Sequence, residues 1–238
     1  MKLQIYHTVN AGLYLWNGRS GLLIDALHGG KRVGFSDTPQ KYIGMMRRKE
    51  QFFRQDNDLL FTHTHEDHYD GELVQEFLVR NPDSLIYAPG LDRSKVQSVL
   101  LEKNIRRIRM RDYIIYAFST EHDGKKFAGE PHNSYLVCSG EQSLWVGGDA
   151  VLYPEFFDQV KGVFPDGRIC AAFVMVYQLG GRHGREFLRR LSPERLYLYH
   201  LPYPEDDVFH YCRMAEDMMA RCGQEGLPVR KLSADTFL

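Results

Sequence analysis

The run Thr62-His63-Thr64-His65-Glu66-Asp67-His68-Tyr69-Asp70-Gly71 places three histidines and an aspartate within six residues. Neutral imidazole and carboxylate are donors that zinc, iron and manganese readily accept. Four such ligands exceed what one tight turn can present to one ion while leaving a position open. The economical reading gives His63 and His65 to one metal, and Asp67 and His68 to a second beside it. Each ion then needs further ligands, so the fold must bring remote segments back to this loop.

Four apolar strands can supply them at their ends. Leu59-Leu60-Phe61-Thr62 runs into His63 itself, and Ile114-Ile115-Tyr116-Ala117-Phe118 shortly precedes His122. Leu144-Trp145-Val146-Gly147-Gly148 precedes Asp149, and Leu196-Tyr197-Leu198-Tyr199 precedes His200. Donors at strand ends converge on one edge of a sheet, where rigid backbone holds them and loops admit substrate. Gly147-Gly148 lets the backbone pass close to other groups there. His132, in Pro131-His132-Asn133-Ser134, competes with His122 as the third histidine. We prefer His122, which sits between a strand and a glycine-lysine loop.

Around these ends, residues 3–6, 12–16 and 21–25 read as strands, and Gly29-Gly30-Lys31 as a loop. Tyr42, Met45, Met46, Phe52 and Phe53 recur at helical spacing after Pro39. A strand at 58–62 leads into the histidine cluster, and Asp70 can cap a helix carrying Leu73, Val74, Phe77 and Leu78. Residues 85–88 read as a strand, 94–103 as a helix, and 105–110 with 113–119 as a hairpin. A second hairpin joins 134–138 to 143–146. Beyond it we expect a short helix at 154–161, a buried strand at 170–177, a helix at 185–191 and a strand at 195–199. A long helix over 205–222 would carry Val208, Tyr211, Cys212, Ala215, Met218, Met219 and Cys222 along one side. Nothing reads as a linker or repeat, so residues 1–238 are expected to form one domain of sheets covered by helices.

Composition narrows the function classes. A chain of 238 residues, 43% hydrophobic and 26% charged, can bury a substantial core. Its 30 basic and 31 acidic residues leave a net charge of −1, which argues against a general nucleic-acid or membrane-surface binder. No apolar run approaches the ~20 residues of a bilayer-spanning helix. Met1-Lys2-Leu3-Gln4-Ile5-Tyr6 lacks the apolar core of a signal peptide. Cys138, Cys170, Cys212 and Cys222 form no C-x-x-C pair, and we expect reduced thiols in a cytoplasm.

On these residues the chain resembles the metallo-β-lactamase-fold superfamily, and the resemblance covers most of its length. The family's H-x-H-x-D-H signature is matched by His63, His65, Asp67 and His68. Its later histidine, aspartate and histidine are matched by His122, Asp149 and His200, and the family spacing also favours His122 over His132. Asp25, ending Leu22-Leu23-Ile24, resembles the early aspartate that supports the metal loop from behind. The resemblance implies a mixed α/β (α+β) fold, a four-layer αββα sandwich with a dinuclear site at one edge of its two sheets. It implies that His63, His65 and His122 hold one metal and Asp67, His68 and His200 the other, with Asp149 bridging.

The chain also departs from several branches of that family. The glutamate of di-iron flavoprotein relatives is His65 here, and the basic exosite arm of tRNA-processing nucleases is not visible. Antibiotic-hydrolysing members are secreted and use different ligands at the second metal. The compact length and the His-Tyr-Asp-Gly continuation look more like the bacterial cytoplasmic hydrolases that include sugar lactonases and phosphodiesterases.

Such a ligand set implies hydrolysis. Two adjacent divalent ions lower the pKa of a bridging water towards ~7, and one of them can polarise the scissile group. Asp67 is the candidate proton acceptor. Zinc suits the histidine-rich set, with manganese or iron as alternatives. Two ions outweigh Asp67, Asp149 and a hydroxide, so the expected partner is a small anionic ester, lactone or phosphodiester. Neither nucleic acid nor membrane is expected. His132, Asn133, Arg182 and His183 are candidate substrate contacts, and Arg185, Arg189 and Arg190 lie near the same expected edge. An iron-dependent redox enzyme or an RNA-processing nuclease would be the alternative uses of this site.

Overall fold

Short apolar runs between tight turns pair into two sheets in the computed structural model, which describes residues 2–30, 32–91 and 96–238. The first three strands, β1 (Gln4–His7), β2 (Leu13–Trp16) and β3 (Gly21–Ile24), form an antiparallel meander. Helix α1 (Gln40–Arg48) follows, and β4 (Asn57–Leu60) then pairs parallel to β3. The helical spacing through Phe52 and Phe53 is broken at Lys49, whose left-handed backbone (φ 52°) ends α1. Those two phenylalanines sit instead on a 3-10 turn, Gln51–Arg54. Helix α2 (Gly71–Arg80) starts as expected at Asp70, whose carboxylate accepts the N–H groups of Glu72 and Leu73. Beyond it lies β5 (Ile86–Tyr87).

The second sheet opens with five antiparallel strands: β6 (Gln97–Glu102), β7 (Ile105–Met110), β8 (Tyr113–Ser119), β9 (Asn133–Ser139) and β10 (Gln142–Val146). Parallel additions follow through helical crossovers. Helix α3 (Phe156–Val163) leads to β11 (Ala171–Val174), and α4 (Val176–Gly180) with α5 (Arg182–Leu191) leads to β12 (Leu196–Leu198). Helix α6 (Tyr211–Gln224) leads to β13 (Arg230–Lys231), and β14 (Thr236–Phe237) returns to pair with β1. The sheet orders are β14-β1-β2-β3-β4-β5 and β13-β12-β11-β10-β9-β8-β7-β6.

Period-two alternation explains how these sheets stack. On β3, Leu22 and Ile24 point between the sheets, where they join Ile115, Val137, Val146 and Phe173. Leu23 points the other way, with Leu59 and Phe61, onto Tyr42 and Met46 of α1 and Val74 and Phe77 of α2. On the far side Trp145, Val174 and Leu198 pack against Phe187, Leu188 and Ala215 of α5 and α6. Three apolar layers therefore separate four structural ones, helix, sheet, sheet and helix. No helix among the described residues is long and apolar enough to cross a membrane.

Three stretches differ from the sequence reading. The helix expected over 94–103 is strand β6 from Gln97 to Glu102, with 94 and 95 outside the described residues. Val99 and Leu100 gave it a helical look, but hairpin pairing with Arg107 and Arg106 of β7 overrides that spacing. The buried strand expected over 170–177 stops at Val174, and Val176 begins α4. The long helix starts at Tyr211 rather than 205, so Val208 lies outside it and is exposed.

Candidate metal centre

Strands β8, β10 and β12 point the same way: β9 is antiparallel to both of its neighbours, while β11 and β12 are parallel to β10. Their C-terminal ends therefore share one edge, which meets the loop after β4. A hydrogen bond from Asn133 N–H to the Thr62 carbonyl (2.9 Å) ties the two sheets together there. At this seam His122 Nε2 lies 3.3 Å from His63 Nε2 and 3.1 Å from His65 Nδ1. A tetrahedral ion with metal–nitrogen bonds of about 2.0–2.1 Å sets its ligand nitrogens roughly 3.3 Å apart. The opposite nitrogen of each ring is held. His122 Nδ1 bonds to the Asp123 carbonyl (2.6 Å), His63 Nδ1 to the Thr62 hydroxyl (3.1 Å), and His65 Nε2 to the Glu130 carboxylate. That arrangement turns three lone pairs toward one point.

A second group adjoins the first. His200 Nε2 is 2.8 Å from His68 Nε2 and 3.6 Å from Asp67 Oδ2. Asp149 stands between the groups, with Oδ1 3.2 Å from His68 Nε2 and Oδ2 3.7 Å from His122 Nε2. Behind them lies Asp25, fully buried. It accepts the Thr62 N–H (2.8 Å), the Thr62 hydroxyl (2.7 Å) and the His68 Nδ1–H (3.0 Å). One carboxylate thus orients His68 directly and His63 through Thr62.

The donors fit a cation better than they fit one another. Asp67 Oδ2 and Asp149 Oδ1 are buried without a hydrogen bond among the described residues, an arrangement that folded proteins rarely tolerate. Burial holds His63 well below the ordinary histidine range, and lowers His65 and His200 as well, which leaves neutral donor rings. Burial would lower His68 too, but the Asp149 and Asp25 carboxylates outweigh it and raise that ring well above its usual value. Burial would raise Asp149, yet His200, His68 and His63 hold it well below the usual carboxylate range. The field at the seam is one that attracts positive charge. Two sets, His63-His65-His122 and Asp67-His68-Asp149-His200, are each close enough to share an ion.

No protein-family model matches the sequence, and neither does any curated protein. Solved structures do match it. A possible metal-dependent hydrolase from Veillonella parvula superposes with a TM-score of 0.65 at 12% identity, over 100% of this chain and 99% of that one. The metallo-β-lactamase fold protein YhfI from Bacillus subtilis gives 0.60 at 13% identity, over 100% of both chains. The chain has the metallo-β-lactamase fold. CmlA, a diiron β-hydroxylase from Streptomyces venezuelae, also matches, with a TM-score of 0.56 at 14% identity. That match covers 100% of this chain but only 54% of CmlA, so the chain spans about half its length. At these identities the likeness is one of fold.

Within the metallo-β-lactamase fold, all seven residues expected as ligands, and Asp25 behind them, meet at one seam. The expected substrate contacts do not. His132 is buried, with Nδ1 on the Thr120 hydroxyl (2.7 Å) and Nε2 accepting the Asp149 N–H (3.0 Å), so neither nitrogen is left for a ligand. Asn133 is buried in β9. Arg182 and His183 line a neighbouring cavity of about 250 Å³ instead. Arg185 and Arg189 pair with Glu225, and Arg190 with Asp158.

The cavity over the ligands, about 270 Å³, is walled by residues the sequence reading missed: Arg32, Phe35, Phe127, Tyr177 and Tyr211. Gly30 marks only where the loop that carries Arg32 and Phe35 meets the histidine motif. A Cβ on Gly30 would sit 2.3 Å from Glu66 Cβ, so only glycine lets this loop lie against the histidine motif. Gly148 is constrained in the same way, with φ +56° and a Cβ position 2.8 Å from His132 Nε2 and from Thr62 Cβ. Gly148→Ala is expected to displace Asp149 and weaken metal binding about 10- to 100-fold, as loss of outer support does. Metal titration of the purified variant reads this out. Unchanged affinity would show that the close passage has no role.

Proposed function

We propose that this protein is a dinuclear metal-dependent hydrolase of a small, anionic ester, lactone or phosphodiester. One observation carries the reading. Asp149 directs one oxygen toward each of two adjoining donor groups, and the seam opens into a cavity of small-molecule size. Two zinc ions, or manganese or iron, would be held by His63, His65 and His122 and by Asp67, His68 and His200, with Asp149 between them. Bound there, they would supply an activated water and polarise the scissile group.

The chain's own part is to position and to exclude. Asp25 fixes the metal-facing tautomer of His68, and Thr62 passes the same constraint to His63. Asp67 Oδ1 is taken by Arg32, which leaves Oδ2 as the atom that would accept a proton. Phe35 and Phe127 keep bulk water from the flanks. The unpaired cysteines support a cytoplasmic setting. An iron redox enzyme remains the competing use, because CmlA shares the fold.

Elemental analysis after reconstitution should return about two transition-metal ions per chain, since one ion would use only three or four of the seven donors. The same sample should turn over a small ester, lactone or phosphodiester and leave structured RNA intact. Cleavage of the RNA with no turnover of small esters would move the protein to the nuclease reading. Iron-only activity that requires an oxidant would move it to the redox one.

A further inference from the structure

The guanidinium of Arg32 lies between two phenyl rings, 5.6 Å from the centroid of Phe35 and 5.5 Å from that of Phe127. Phe35 packs edge-on against His200 (4.8 Å), and Phe127 lies tilted against His65 (4.6 Å) and His122 (4.7 Å). The three side chains form a strap across the mouth of the seam, one phenyl over each donor group and the cation between them. A guanidinium held between rings loses little freedom when it binds.

Arg32 is oriented as well as held. Its NH1 group donates to Asp67 Oδ1 (2.6 Å), while Asp67 Oδ2 points at His200. Guanidinium carries five N–H donors. Among the described residues, no second hydrogen-bond partner of the Arg32 guanidinium is found, although the side chain is only 26% exposed and lines the cavity. Lys126 adds a second cation on the same wall, its ammonium 4.6 Å from the Phe127 ring, against a single further acid, Asp123. Elsewhere the lining is aliphatic at Met175 and Val176 and aromatic at Tyr177 and Tyr211, the last stacked on Phe35 at 5.3 Å and 26°.

We propose that Arg32 is the anion-recognition residue of this cavity, and that the substrate is a carboxylate or phosphate ester with a flat apolar body. The free N–H edge of Arg32 takes the anionic oxygens and the aromatic wall takes the body. The inference rests on the hydrolase reading for turnover but not for binding. The test therefore measures both.

Phenylphosphonate, methylphosphonate, benzoate and benzyl alcohol are titrated calorimetrically into the metal-loaded protein, with metal content measured on each sample. Phenylphosphonate should bind about tenfold more tightly than methylphosphonate, and benzyl alcohol hardly at all. Comparing phenylphosphonate with benzoate distinguishes the phosphate from the carboxylate source. Arg32→Ala should weaken phenylphosphonate about 10- to 100-fold with both metals retained, and Arg32→Lys should restore only part, because charge returns without the planar fork.

Equal affinity of parent and Arg32→Ala for phenylphosphonate overturns the proposal. So does loss of a metal ion in step with the loss of binding, because Arg32 would then be a positioning residue for Asp67. If binding depends on Arg32 but no ester is turned over, the hydrolase reading fails and the anion site stands.

Discussion

Asp149→Ala should lower hydrolysis by more than about 100-fold and reduce bound metal from about two ions per chain to one or none. Outer-sphere changes alone weaken metal sites roughly 10- to 100-fold, and in the proposed site Asp149 would be a direct ligand to both ions. Its two oxygens lie 3.2 Å from His68 Nε2 and 3.7 Å from His122 Nε2, one facing each donor group. His132→Ala is the matched control. It removes the acceptor of the Asp149 N–H but no donor aimed at the seam, and it should keep both metals at reduced affinity. Metal analysis and kcat/KM on the two variants decide the matter. Retention of two ions by Asp149→Ala would remove the bridging assignment.

Chelation should lower the melting temperature by about 10 °C, and re-added zinc should restore it. A ligand that binds only the folded state at a thousandfold excess over Kd stabilises by about 4 kcal/mol. A chain of this size shifts by about 2–4 °C per kcal/mol. The metal-free protein should also become less stable in acid. Burial pushes His28 and His132 down to about 3, so the folded protein refuses protons that the unfolded chain accepts below about 6.5. Stability therefore falls as pH drops from 6.5 toward 3, by up to ~1.4 kcal/mol per unit for each such ring. His68, held above its ordinary value, contributes stability that is already complete below about 6.5 and cannot offset the loss. Calorimetry from pH 7 to 5, with and without chelator, checks both effects. A melting temperature indifferent to demonstrated metal removal would show that the seam is not a metal site.

The ligand geometry was legible because it is written in short-range patterns. A donor placed two or three residues beyond the end of a strand needs only the strand's direction to be located, and His122, Asp149 and His200 all obey that rule. The Asp70 cap and the hairpins at 105–119 and 134–146 were equally local. The cavity wall was not legible. Arg32 and Phe127 come from separate loops, and their pairing depends on where Gly29-Gly30 crosses the histidine motif, a contact between distant segments. The arginines of α5 misled for the converse reason. Glu225 and Asp158, which neutralise them, are 32 to 40 residues away in sequence. Residues 94–103 failed because an amphipathic six-residue segment satisfies either period, and its partner strand decided the outcome.

The donors and two of the strap's three side chains have different anchors, while Phe127 shares the β8–β9 connection with His122. Every donor hangs on a strand end or on the turn after β4, whereas Arg32 and Phe35 hang on the connection between β3 and α1, which supplies no donor. What the protein accepts is therefore separable from what it does to it. Replacing 32–36 with a segment of equal length should redirect the catalyst to another class of guest, at the cost of the hold that Arg32 keeps on Asp67. The same stretch in other chains of this architecture is where one would look to read their diets.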